Sequence, residues 1–246
     1  MRHLLFSLVG LVICLVLFDV THIDLSVQQW LFYHHGHWLW DRHEAVAKLV
    51  FYDGIKALLI TFTVAFASTL VWPRRLLWRG ARKGDIAVAV VAMIAIPLIV
   101  GVLKATTHVN CPRTLSLFGG EFPYRTLLES LFRSDGMYNQ RCFPAGHASG
   151  GFALLSLVAV CPSRQGRQRV ITWAVMLGWV MGLYKMAIGD HFLSHTIVSM
   201  VLAWGIVNAL MLTREHWWPT TDYLATPDHH SPLTTPPVVK APHLSE

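Results

Sequence analysis

Residues 86–103 read IAVAVVAMIAIPLIVGVL, eighteen consecutive residues without a charged side chain, and they run directly into Lys104. A helix crossing hydrocarbon needs about 20 mostly apolar residues, so this run predicts a membrane span with a cation at its end. Five further apolar stretches carry the same reading: Leu4 to Phe18, Gly54 to Trp72, Ala145 to Val160, Val170 to Tyr184, and Phe192 to Leu212. The first and fourth are short, and the fourth contains polar residues. No stretch alternates at period two for the length of a barrel strand. Backbone in lipid must satisfy its own hydrogen bonds, so the sequence predicts an all-α, polytopic membrane bundle of six transmembrane helices.

Composition agrees. The 246 residues are 54% hydrophobic and 14% charged, with a mean hydropathy of +0.46. Soluble domains carry roughly 25% charged residues, which argues against a soluble enzyme, a coiled coil, a secreted disulfide scaffold or a disordered chain. The net charge of +6 reads as basic cytoplasmic loops, not as a nucleic-acid surface. Arg2 precedes the first apolar run, but no small-residue cleavage site follows Phe18, so the segment is expected to stay as an anchor.

Arg74, Arg75, Arg79, Arg82 and Lys83 lie between the second and third stretches, Arg164, Arg167 and Arg169 between the fourth and fifth, and Arg214 after the sixth. Basic loops stay inside, so both termini are expected in the cytoplasm. Asp19 to Asp53, Lys104 to Pro144 and Lys185 to His191 then face outward. Residues 1–213 form the expected membrane domain. Residues 214–246, rich in Thr, Pro and His, read as a disordered cytoplasmic tail. The cluster of Trp30, His34, His35, His37, Trp38 and Trp40 reads as an interfacial helix anchored by aromatics; its histidines are poorly spaced for a metal.

Three polar groups fall at the outer ends of the later spans: Lys104 with Cys111-Pro112-Arg113, then Pro144-Ala145-Gly146-His147, then Lys185 with His191 and His195. Ionisable residues at membrane depth are costly and mark sites. Lys104, Arg113 and Lys185 are suited to a phosphate's oxygens. Gly146 lets backbone approach an anion at the start of a helix. His191 and His195, four apart, are expected on one helical face. A neutral imidazole is a competent nucleophile, and a second histidine can serve as acid and base.

These groups resemble the three motifs of the type-2 phosphatidic acid phosphatase superfamily, which also includes vanadium haloperoxidases and glucose-6-phosphatase. The family motifs are Lys, six residues, Arg-Pro; then Pro-Ser-Gly-His; then Arg, five residues, His, three residues, Asp. Lys104 and Pro112 keep the first register, Pro144, Gly146 and His147 the second, and Lys185, His191 and position 195 the third. The likeness spans Lys104 to Leu212 (104–212). The chain departs at four places: Cys111 stands at the Arg position with Arg113 two residues on, Ala145 replaces Ser, Lys185 replaces Arg, and His195 replaces Asp. It is similar to a branch with Cys-Pro in the first motif and Ser-His in the third.

The resemblance implies a metal-independent lipid phosphatase without a cofactor. His191 would form a phosphohistidine, His147 would protonate the leaving oxygen and later activate water, and Lys104, Arg113, Lys185 and the Gly146 amide would hold the phosphate. Either His195 or Asp190 would orient His191. The expected setting is a bacterial inner membrane with the site facing the periplasm. An isoprenoid pyrophosphate, a phosphatidylglycerol phosphate and a lipid A phosphate all remain open as substrates, as does oligomeric state. A phosphotransferase with a lipid acceptor and a non-catalytic membrane binding protein are the alternatives. Cys111 and Cys142 share an outer loop in an oxidising compartment, whereas Cys14 and Cys161 are membrane or cytoplasmic, so a Cys111–Cys142 disulfide is expected.

Overall fold

The computed structural model describes residues 2–32, 36–71, 81–132 and 140–217. His34, His35, Arg74, Arg75 and Arg79 lie outside the described residues. Helix α1 (Arg2–Val20) is followed by a short α2 (Ile23–Phe32). Helix α3 (Ala45–Lys48) continues through a π-helical stretch, Leu49–Gly54, into α4 (Ile55–Val71), so that one rod covers Ala45–Val71. Next come α5 (Lys83–Thr106), a 3₁₀ turn at Pro112–Thr114, and α6 (Leu127–Phe132). Helix α7 (Gly146–Phe152) tightens into a 3₁₀ segment, Ala153–Val160. Two long helices, α8 (Arg164–Ala187) and α9 (Leu193–Trp217), complete the bundle.

Five of these helices are long and apolar enough to cross a membrane, so the protein is an all-helical, multi-pass membrane protein. Large apolar side chains along α1, α4 and α5 are exposed, among them Phe6, Leu58 and Leu98. Such faces suit hydrocarbon. The stretch expected as the fourth span is the shorter Gly146–Val160 element. It lies at the centre of the bundle: Ala145, Ala148, Phe152 and Leu155 are almost fully buried in a core shared with Ala92 and Ile96 of α5, Ala174 of α8, and Ala203 and Val207 of α9. Surrounded by protein, this element does not itself have to match the length of the apolar slab.

Two boundaries differ from the sequence reading. The second apolar helix starts at Ala45, not Gly54, because the polar residues Tyr52 and Asp53 ride on the π-helical stretch that continues into α4. Helix α9 continues past residue 213 to Trp217. There Arg214 pairs with Asp85 at 2.8 Å and ties its end to the start of α5. The expected tail beyond Trp217 lies outside the described residues.

Small residues decide how closely the central element packs. A Cβ on Gly151 would stand 2.6 Å from the Gly178 Cα, and one on Gly178 would stand 2.2 Å from the Phe152 ring. Backbones of α7 and α8 therefore cross in near contact, the arrangement small residues permit in membranes, where packing takes the place of the hydrophobic effect. Gly101 of α5, by contrast, meets open space. Gly178→Ala is expected to overpack the core by about 1–3 kcal/mol and to lower the melting temperature in detergent, whereas Gly101→Ala should leave it unchanged or raise it. Thermal unfolding of the two variants beside the parent measures this; equal melting temperatures would refute the close crossing.

Candidate active site

The loop between α8 and α9 carries His191. Gly189 turns it with φ +75°, and a Cβ there would come within 2.4 Å of the Trp38 indole. Glycine is thus required both for the left-handed backbone and for the aromatic packed against it. Trp38 in turn meets the rings of Phe32 and Phe118. The Trp-rich segment thereby packs onto the turn before His191 as well as onto its own helix.

His191 is 2% exposed. Its carbonyl accepts from Gln28 Nε2 at 2.6 Å. Asp24, one helical turn earlier on α2, accepts from the Ser194 backbone N–H at 2.8 Å and also from the Ser194 hydroxyl. The Asp24 carboxylate thus satisfies an amide at the start of α9, where four N–H groups lack intrahelical partners. Burial pushes the Asp24 carboxyl up to about 6, against the lowering effect of the Ser194 hydrogen bonds.

The sequence reading placed His191 and His195 on one helical face; the structure puts His191 in the loop before α9 and His195 inside the helix. The turn at Gly189 and the non-helical residues after it delay the helix to Leu193, and the two rings meet edge to face, with centroids 5.7 Å apart. No hydrogen-bond partner among the described residues reaches Nδ1 of His191. Asp190 does not orient the imidazole either, because its carboxylate is turned to cations: 2.7 Å to Arg113 Nη1 and 2.8 Å to Lys185 Nζ. His195 is enclosed by Phe143 and Phe192 and bonds the Cys142 backbone. Its contacts tie the segment before α7 to α9.

The second group meets the third through backbone. Ala145 N–H donates to the His195 carbonyl at 3.1 Å, and the Ser199 hydroxyl donates to the carbonyls of both Ala145 and His195. Gly146 and His147 therefore begin α7 beside the His191 loop. Lys104, at the end of α5, lays its chain over Gly146; a Cβ there would lie 3.8 Å from its Cδ and 4.0 Å from its Nζ. His147 stacks on Tyr52 with centroids 4.1 Å apart.

Arg113 is fixed from two sides. Its backbone N–H donates to the Gly189 carbonyl at 3.0 Å, and a disulfide joins Cys111 to Cys142, with Cα atoms 5.2 Å apart. Burial, reinforced by His195, Lys104, His147 and Lys185, holds the His191 imidazole well below its ordinary value. The neutral ring therefore sits in the field of side chains from all three motif groups. Arg42, Lys48, Tyr52 and Tyr184 join Lys185 and Asp190 in lining an adjoining cavity of about 400 Å³. Among the described residues no three His, Cys, Asp or Glu side chains converge in a metal-binding arrangement.

A family model, the PAP2 superfamily, matches residues 85–219. The chain belongs to that superfamily, and its general class is a phosphoric ester hydrolase of the membrane. Searches of curated proteins and of solved structures gave no match.

Sequence reasoning missed Asp24, Gln28 and Tyr52, all of which lie before the matched region. Asp24 and Gln28 are polar residues four apart on a short apolar helix, a spacing that marks one shared face; Tyr52 left no such signal. The disulfide closes a separation of 31 residues, worth about 3–4 kcal/mol by loop entropy. Cys142→Ser is expected to lower thermal stability by that order and to raise the KM for a phosphate substrate as Arg113 loosens. Unchanged stability and KM in the variant would contradict the bond's role.

Proposed function

We propose that this protein removes phosphate from a phosphorylated membrane lipid, a phosphomonoester or a pyrophosphate, at the periplasmic face of a bacterial inner membrane, through a phosphohistidine. The observation that carries the reading is a buried His191 on a loop whose Asp190 gathers Arg113 and Lys185, while Lys104 lies over Gly146 next to His147. A neutral imidazole keeps the lone pair that a nucleophile needs.

In the proposed course His191 attacks phosphorus in line. His147 takes up a proton from solvent as the anionic phosphate binds beside it; when the phosphorus–oxygen bond to the lipid breaks, it gives that proton to the departing oxygen. His147, now neutral, takes a proton from water as the water attacks the phosphohistidine, which returns His191 and releases inorganic phosphate. Lys104, Arg113, Lys185 and the Gly146 amide stabilise charge on the three equatorial oxygens, the electrostatic part of phosphoryl transfer. No step requires a metal or a cofactor. Asp190 keeps Arg113 and Lys185 in place before substrate arrives.

A burst experiment separates the two histidines. His191→Ala is expected to abolish both burst and turnover for every substrate. A general acid contributes about 10² to 10⁴-fold, so His147→Ala should cripple turnover of an alkyl or lipid phosphate, whose alkoxide leaves poorly. With an aryl phosphate the phenolate leaves unaided, so the burst should survive while the steady state slows. A burst remaining in His191→Ala would overturn the mechanism.

Orientation has its own measurement. The proposed topology puts Glu121, which is exposed in the segment after α5, outside the cytoplasm. Glu121→Cys, made in a chain whose other free cysteines are replaced, is expected to react with an impermeant thiol reagent in intact spheroplasts. Reaction only after lysis would reverse the topology.

A further inference from the structure

Tyr52 touches two motif groups at once. Its ring stacks on the His147 imidazole, with centroids 4.1 Å apart and planes 32° from parallel. The Lys185 ammonium lies 4.2 Å from the centroid of the same ring. His147 opens α7 and Lys185 closes α8, so one side chain from a third element links an imidazole and a cation that no direct bond joins in the structure. The link depends on local backbone. Tyr52 sits in the π-helical stretch Leu49–Gly54, where a wider turn re-aims side chains, as such insertions do at functional sites.

Both contacts use the face of the ring. Stacking limits rotation of His147 about its last torsion, which is otherwise soft. A cation near an aromatic face is attracted by the ring quadrupole. Lys185 has a second partner in Asp190, at 2.8 Å, whereas the described contacts of the His147 ring give it no hydrogen bond to fix its direction. His147 therefore depends on Tyr52 more than Lys185 does.

We infer that Tyr52 is a positioning residue, which aims His147 as proton donor to the leaving group and steadies Lys185 beside the phosphate. The inference rests on the proposed role of His147. It concerns the aromatic face and not the hydroxyl, so phenylalanine should replace tyrosine and an aliphatic residue should not.

The test compares Tyr52→Phe, Tyr52→Leu and His147→Ala in full-length protein, with an alkyl phosphate and an aryl phosphate as substrates. Tyr52→Phe is expected to keep kcat within about twofold for both, since it retains the ring. Misdirecting a catalytic group by about 1 Å costs on the order of 10²-fold. Tyr52→Leu should therefore lose roughly tenfold to a hundredfold in kcat on the alkyl phosphate and only a few-fold on the aryl phosphate. KM should change less than kcat, because Asp190 still holds Lys185.

A merely structural role for Tyr52 predicts the same loss on both substrates, and that result overturns the inference, as does a Phe variant as impaired as the Leu variant or a Leu variant with full activity on the alkyl phosphate. His147→Ala keeps the two levels apart. If His147→Ala discriminates between the substrates and Tyr52→Leu does not, only the role of Tyr52 falls. If His147→Ala itself loses equally on both, the acid assignment fails and the inference fails with it. A Leu variant that does not fold leaves Tyr52→Phe decisive: impairment there, in a folded protein, overturns the claim that the ring face is what matters.

Discussion

One carboxylate between two cations organises this end of the bundle. Arg113 and Lys185 both reach Asp190, at 2.7 and 2.8 Å, and Lys104 stands close enough to feel all three. Without Asp190 the positive side chains would repel one another where little water screens them. Two unit charges 4 Å apart interact by about 4 kcal/mol at an effective dielectric of 20. Asp190 offsets that repulsion and also fixes where the cations point. It sits on the residue before His191, so the ion pairs and the buried imidazole share one short loop. That loop turns at Gly189, accepts the Arg113 amide at the Gly189 carbonyl, and packs against Trp38.

The loop is held from below by a helix that the family match does not include. Asp24 and Gln28 on α2 grip Ser194 and the His191 carbonyl, so the position of His191 is set by backbone contacts. This matters because the residue standing where the family has an aspartate is His195, which is turned into an aromatic enclosure and onto the Cys142 backbone. An aspartate hydrogen-bonded to an imidazole orients it through the ring. In this chain α2 restrains the main chain itself, at the His191 carbonyl and the Ser194 amide. The general rule is that groups supporting a reactive side chain need rigid anchorage of their own, and α2 is anchored in the core beside α8 and α9.

Much of the fold was legible in the sequence because apolar length is a direct physical requirement of a membrane span. The run 86–103 lies wholly inside α5, and Val170 to Tyr184 lies wholly inside α8. Elsewhere length and polarity stop being the deciding quantities. Gly146–Val160 is set by protein packing on all sides, so its apolar count gave no measure of whether it spans. The Ala45–Val71 rod begins with residues polar enough to resemble a loop. His191 and His195 keep a helical spacing in sequence, yet a glycine turn ahead of them delays the helix, a tertiary effect that spacing does not encode. The motif groups could be named from the sequence because ionisable side chains at the ends of apolar spans are rare and conspicuous. The residues behind them were not, since a buried glutamine or a stacked tyrosine has no chemistry peculiar to one reaction.

The departures from the family pattern can be understood as a connected set. Cys111 stands at the first motif's arginine position, and its bond to Cys142 holds Pro112-Arg113 against the loop that bears His191. Arg113 is thereby delivered to Asp190 from a position two residues along the chain. Lysine at 185 lacks the planar fork that lets arginine grip two oxygens at once. It is steadied instead by Asp190 on one side and the Tyr52 ring on the other. Histidine at 195 gives up a carboxylate and gains the contacts that fasten Cys142 to α9. Each change alone would remove a charge, a fork or a restraint from the site. Taken together, Arg113 and Lys185 converge on Asp190, and α2 holds the main chain at His191 and Ser194. An arginine restored at position 111 would therefore break the disulfide that now carries Arg113, and reverting one motif alone would disturb the other two.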